Sequence, residues 1–150
     1  MGKSTTALNL GAGLAEQGYP TLLVDLDPHA GLTKMLRENP EHVAQSFSDV
    51  FFGKAEQLIK PAGLPGLFLI PANDQLAIAE AELRSHDPNW GSALRDALEP
   101  LRTQYDYIVI DTPPSLGVLA TTAIGAADGV IVPLQSDFIA TSPRQSLMTR

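Results

Sequence analysis

Gly2-Lys3-Ser4-Thr5 opens the chain with residue types that handle phosphate. A lysine at this place supplies a point charge for β- and γ-phosphates, and the hydroxyl next to it can ligate Mg²⁺. The four residues match the end of the loop pattern G-x-x-x-x-G-K-[ST], which ordinarily comes after a β-strand and opens a helix. Residues 4–17 read as helix, and a helix N-terminus offers free N–H groups and partial positive charge to an anion. The triplet is also common by chance, and a helix-capping Ser4 is the competing account.

Three aspartates sit where a metal-bound phosphate would need them. Asp25 and Asp27 come after the apolar run Thr21-Leu22-Leu23-Val24, and Asp111 comes after Tyr107-Ile108-Val109-Ile110. In open α/β sheets ligands gather beyond the carboxyl ends of the strands. An apolar strand ending in Asp is also how a carboxylate is presented to Mg²⁺ in nucleotide-hydrolysing sites. Asp-Pro and Asp-x-Pro form turns as well, so each aspartate alone has a structural explanation. Three of them together with Gly-Lys-Ser-Thr favour phosphate chemistry. His29, His42 and His86 share no metal-ligand spacing, and no Ser/His/Asp or G-x-S-x-G arrangement supports acyl transfer.

These residues must be positioned by an alternation of helices and strands, which predicts an α/β fold with a mainly parallel sheet. The helix over residues 4–17 carries Ala and Leu on more than one face, as expected of one buried against a sheet, with Gly18 as its stop. Strands are expected at 21–24, 67–70, 107–110 and 130–132, each a short apolar run. Asp27–Gly31 reads as loop, and 46–60 as one or two short helices broken near Gly53. Helices are expected at about 75–84, 90–102 and 116–127, with a further one from about 141 onward. The first helix has no strand before it and the last none after it, although parallel sheets are built from strand-helix-strand units. The expectation is therefore one partial domain over residues 1–150, lacking its first strand and its C-terminal part, with no second domain.

Composition narrows the class. A chain of 150 residues with 44% hydrophobic and 18% charged residues is long enough for one real core. No apolar run approaches the roughly 20 residues of a membrane span, and residues 1–20 lack a signal-peptide pattern. The absence of cysteine excludes disulfides and thiolate metal sites and fits a cytoplasmic protein. With a net charge of −7 and scattered basic residues, no stripe is present to grip a nucleic-acid backbone.

The sequence resembles the ParA/MinD-type ATPases, the deviant Walker A branch of the P-loop proteins. The resemblance is carried by Gly2-Lys3-Ser4-Thr5-Thr6-Ala7-Leu8-Asn9-Leu10, by Leu22-Leu23-Val24-Asp25-Leu26-Asp27-Pro28, by Leu69-Ile70-Pro71-Ala72 and by Tyr105 through Gly117. These stretches keep family order and spacing over nearly the whole chain. The D-x-D-P and I-D-T-P-P elements point to the ParA side. The resemblance implies a three-layer P-loop fold, with ATP and Mg²⁺ as cofactors. Gly2, Lys3, Ser4 and Thr5 would bind the nucleotide, Lys3 reaching the β/γ-phosphates and Thr5 the α-phosphate. Ser4 would ligate Mg²⁺, with Asp111 holding it through water, and Asp27 would position the attacking water beside Lys3. Asp25, Asp27 and Pro28, with Asp111, Thr112, Pro113 and Pro114, would form the switch regions.

Two departures from the family pattern stand out. His29-Ala30-Gly31 replaces a common Gln-Gly-Asn, so the response to the γ-phosphate is expected to differ while binding survives. Met1 falls where the family loop has the valine of K-G-G-V-G-K, which suggests an internal GTG start and a missing upstream strand. By resemblance the restored protein would be an ATP-dependent dimerisation switch for chromosome or plasmid partitioning. It would be cytoplasmic and nucleoid-associated, a homodimer on ATP, triggered by a ParB-like partner, and would bind DNA non-specifically through the missing C-terminal part. The alternatives are a MinD-like positioning ATPase and a truncated product without catalysis, and the 150 residues alone are expected to be inactive.

Overall fold

The computed structural model describes residues 2–43, 51, 55–86 and 88–134. Its helices are α1 (Lys3–Glu16), α2 (Gly31–Met35), α3 (Leu76–His86), α4 (Ala93–Leu98) and α5 (Val118–Ala126). Its strands are β1 (Thr21–Asp25), β2 (Lys60–Pro61), β3 (Leu67–Ile70) and β4 (Tyr107–Asp111). Short 3₁₀ turns at Trp90–Ser92 and Glu99–Leu101 extend α4 at both ends, so the expected helix at 90–102 is found as three abutting pieces.

The sheet order is β2-β3-β1-β4. β1 lies at the centre, parallel to β3 on one side and to β4 on the other, with Val24 opposite Ile70 and Ile110 and with Asp25 opposite Asp111. All five residues of β1 are buried, as its unbroken apolar run requires when both faces of a parallel sheet are covered. Alternation then sorts the strand residues between two layers. Leu23, Leu67, Leu69 and Val109 pack with Leu8, Ala12 and Ala15 of α1 and with Leu32 of α2. Leu22, Val24, Ile70, Ile108 and Ile110 face the other way, onto Leu76 of α3, Leu94 and Leu98 of α4 and Leu119 of α5. The result is the expected three-layer α/β arrangement.

Three elements depart from the sequence reading. β2 is a two-residue antiparallel strand on β3, joined to it through Gly63 and Gly66, both at positive φ (80° and 78°). Its length and its proline give no strand signal in the sequence. α2 forms within and beyond a stretch read as loop, because Gly31–Met35 buries Leu32 and Thr33 against β1. The strand expected at Val130–Val132 is absent. These residues are described, but they are 60–67% exposed and belong to no ladder. Their apolar run faces the outer edge of β4 across an open groove of about 970 Å³, lined also by Leu10 and Leu14 of α1. Without a hydrogen-bonded neighbour, apolar composition does not make a strand. Most of the helical stretch expected before residue 55, and all of the one from 141, lie outside the described residues.

Candidate nucleotide and metal site

α1 begins at Lys3 behind Gly2, which occupies the left-handed region (φ 93°, ψ 0°) that glycine adopts without strain. Gly2 is thus the N-cap, and no side chain caps the helix. Ser4 is the second helical residue rather than the cap, which removes the competing account of that serine. The first N–H groups of a helix have no intrahelical acceptor, so this end stays available to an anion. Thr6 and Asn9 fold back instead, onto the carbonyls of Gly2 (2.7 Å) and Thr5 (2.8 Å).

β1 and β4 end at the same level, because Asp25 and Asp111 are register partners and Leu26 N–H donates to the Asp111 carbonyl at 2.8 Å. The two aspartates then take different roles. Asp25 is fully buried, and its carboxylate accepts from Thr33 N–H (2.8 Å), Thr33 Oγ1 (2.7 Å) and Asp27 N–H (3.1 Å). Thr33 Oγ1 in turn accepts from Ala72 N–H at 2.9 Å. The Asp25–Thr33–Ala72 chain ties the end of β1 to α2 and to the exit of β3. Burial raises the Asp25 carboxyl above its ordinary range, the Thr33 and Asp27 hydrogen bonds oppose the rise, and the nearby Asp111 charge adds to it. Within the expected switch set, Asp25 is thus a satisfied internal brace.

Asp111 is only 2% exposed, and neither carboxylate oxygen has a hydrogen-bond partner among the described residues. Burial pushes its carboxyl upward; the Ser4 hydroxyl, close to it but outside strict hydrogen-bond geometry, opposes this, the Asp27 charge adds to it, and the Lys3 ammonium and the Thr112 N–H oppose it again. Lys3, Ser4, Asp27 and Asp111 therefore share one electrostatic neighbourhood. A buried carboxylate left without partners calls for an explanation, and a cation is a chemically apt one. Among the described residues no group of three or more His, Asp or Glu could hold a metal. A Mg²⁺ here would rely on one carboxylate, the Ser4 hydroxyl, water and phosphate oxygens, which is its usual mode of binding in phosphate chemistry. The donor set fits Mg²⁺.

Asp27 projects from the loop after β1. Its Oδ1 accepts from His29 N–H (2.9 Å) and lies 3.0 Å from His29 Nδ1, while Lys34 Nζ donates to the His29 carbonyl (2.7 Å). The sequence placed His29 in the stretch expected to answer the γ-phosphate and in no metal set, and its partner Asp27 within the same turn was not foreseen. Ala30 comes next in the left-handed region (φ 52°), and Gly31 packs against Ser4, where a Cβ would sit 3.3 Å from Oγ. Pro28, Thr112 and Pro113 are half-buried beside these residues, and Pro114 is exposed. Thr5 is exposed on the first turn of α1.

A P-loop-like helix start facing strand-terminal aspartates in a parallel three-layer fold defines the class: a P-loop nucleoside-triphosphatase fold. The AAA_31 family model (AAA domain) matches residues 1–150, and the chain belongs to that family, as a ParA/MinD-type P-loop ATPase of the ParA branch. It is 42% identical over 142 residues to the chromosome partitioning protein ParA of Myxococcus xanthus, covering 93% of this chain and 50% of that protein. It is also 42% identical over 142 residues to the sporulation initiation inhibitor protein Soj of Bacillus subtilis, covering 93% and 56%. The chain thus spans about half the length of these relatives. Among solved structures, it superposes on a cobyrinic acid a,c-diamide synthase from Mycobacterium smegmatis with bound ATP analog and magnesium. There the TM-score is 0.87 and the identity 40%, over 97% of this chain and 60% of that one.

Proposed function

We propose that this chain is the nucleotide-handling part of a ParA-like partitioning ATPase, in which Mg²⁺·ATP binding drives a dimerisation switch. The observation that carries the reading is the buried, unpartnered Asp111 carboxylate beside Ser4 and Lys3 at the open start of α1. The resemblance to ParA and Soj supports the partitioning role, and the ATP analog and magnesium of the M. smegmatis structure support the cofactors.

In this reading the free N–H groups of the first turn of α1 cradle the phosphates, and Thr5 contacts the α-phosphate. Lys3 balances charge on the β- and γ-phosphates. Ser4 and Asp111 would hold Mg²⁺, Asp111 by way of water, and the ion would supply positive charge against the phosphate oxygens. Asp27, steadied by its two contacts with His29, orients a water for in-line attack. Catalysis of this kind is positioning and charge stabilisation rather than covalent chemistry. Thr112, Pro113 and Pro114 carry the state of the metal site outward to a partner subunit. A homodimer, a ParB-like activator, non-specific DNA and a nucleoid-associated cytoplasmic location complete the proposal for the full-length relative. No helix among the described residues is long and apolar enough to cross a membrane.

The test is ATP turnover and sedimentation of the chain carried in its full-length context. Wild type should hydrolyse ATP and dimerise with a non-hydrolysable analog. Lys3→Ala should do neither, and Asp27→Ala should bind and dimerise without turnover. Ordinary ATP affinity in Lys3→Ala contradicts the phosphate assignment, and unchanged turnover in Asp27→Ala removes that residue from the reaction.

A further inference from the structure

The Asp111–Gly117 loop is held at both ends, and only one end belongs to the site described above. At its entry, the Asp111 carbonyl accepts from Leu26 N–H at 2.8 Å. At its exit α5 begins, and its N-cap residue Gly117 supplies no side-chain cap. The cap comes from another helix. Glu80 of α3 sends Oε1 to accept from Val118 N–H (2.8 Å) and Leu119 N–H (3.4 Å). A carboxylate on the first free N–H groups of a helix is favoured by both the hydrogen bonds and the helix dipole. Gly117 makes the room, since a Cβ there would collide with Glu80 Oε1.

We propose that Glu80 is a positioning residue for the metal-holding loop: by capping α5 it fixes the loop's exit, and through the loop it sets where Thr112, next to the ladder-held Asp111, stands relative to Ser4. Pro113 and Pro114 fix two successive φ angles within the loop. They leave fewer torsions through which a shift at Gly117 can be taken up before it reaches Thr112. The loop's tip has little else to hold it, with Ser115 exposed and Leu116 90% exposed. A purely architectural account would make Glu80 a brace between α3 and α5. Those helices, however, already share the core through Leu76 and Leu119, so their packing does not depend on the carboxylate. The proposal rests on Asp111 being the metal-holding carboxylate.

The experiment measures ATP affinity with and without Mg²⁺, together with amide hydrogen exchange at Val118 and Leu119, for wild type, Glu80→Ala, Glu80→Gln and Gly117→Ala. Losing the cap should speed exchange at the two amides in Glu80→Ala by about tenfold. The gain in ATP affinity on adding Mg²⁺ should fall several-fold, while Mg²⁺-free affinity stays at the wild-type value. Glu80→Gln keeps an acceptor oxygen and should retain most of both. Gly117→Ala, which displaces the same oxygen without altering Glu80, should reproduce the alanine variant even if that variant folds poorly. A full Mg²⁺ gain in Glu80→Ala or Gly117→Ala overturns the proposal, as does an equal loss of affinity with and without Mg²⁺. A wild type with no Mg²⁺ gain overturns the metal reading itself, and with it this proposal. That failure is visible before any variant is compared.

Discussion

At the scale of single residues, the site is built on a contrast between two aspartates one strand apart. Asp25 is buried and fully bonded, whereas Asp111 is buried and unbonded. The unbonded one should weaken the metal-free protein. A buried carboxylate without a full set of partners is costly to keep ionised, and asparagine removes the charge though not the acceptor, so Asp111→Asn should raise stability at neutral pH while abolishing stabilisation by Mg²⁺·ATP. The direction of the shift sets the pH dependence. Because the folded-state pKa of Asp111 lies above the unfolded value, its contribution favours folding at acid pH. It is complete below the ordinary carboxylate pKa and lost as pH rises through the folded-state value. Thermal melts from pH 4 upward should therefore show Asp111→Asn overtaking wild type, and parallel curves would contradict the assignment. Thr33→Val deletes the hydroxyl that serves both Asp25 and Ala72 N–H, and should destabilise by about 2–3 kcal/mol in denaturant titration. Thr33→Ser should restore most of the loss. Asp111 was legible in the sequence because strand-terminal aspartates announce themselves by position. Thr33 and Glu80 were not: each accepts from a backbone N–H far along the chain, Ala72 and Val118 respectively, and nothing in its local spacing encodes that meeting.

At the scale of elements, apolar periodicity predicted which segments are buried better than it predicted what they pair with. α1 was expected over 4–17 and is found at Lys3–Glu16. Its interior Gly11 is unfavourable in a helix, by about 1 kcal/mol relative to alanine. The position is explained only by packing, since a Cβ there would lie 2.5 Å from Leu23 Cδ2. Gly11→Val should accordingly destabilise by about 2–3 kcal/mol, and a stability equal to wild type in thermal melts would show that α1 does not press on β1 as described. Val130–Val132 illustrates the other side. Three β-branched residues satisfy every local criterion for a strand, yet a strand exists only through a ladder, and β4 lies across a groove from them. β2 failed in the opposite sense, because two residues ending in proline carry no pattern to read.

At the scale of the whole molecule, the layer order and sheet direction were legible from the alternation of elements, and the family from four motifs in order. The groove beside β4 was not, since it is a relation between an edge and a segment that does not pair with it. Tyr107, Ile124 and Val130–Val132 surround it with exposed apolar surface. Surfaces of this kind next to an open strand edge promote association. Ile131→Lys should reduce concentration-dependent light scattering of the chain, and unchanged scattering would place the sticky surface elsewhere. The central claim is that Lys3, Ser4 and Asp111 form one Mg²⁺-dependent phosphate site. It is tested most directly by calorimetric titration of ATP into the wild-type protein and Asp111→Asn, each with and without Mg²⁺. Mg²⁺ should tighten ATP binding by at least about tenfold, roughly 1.4 kcal/mol, in wild type and not in Asp111→Asn. An equal Mg²⁺ effect in both proteins would contradict it.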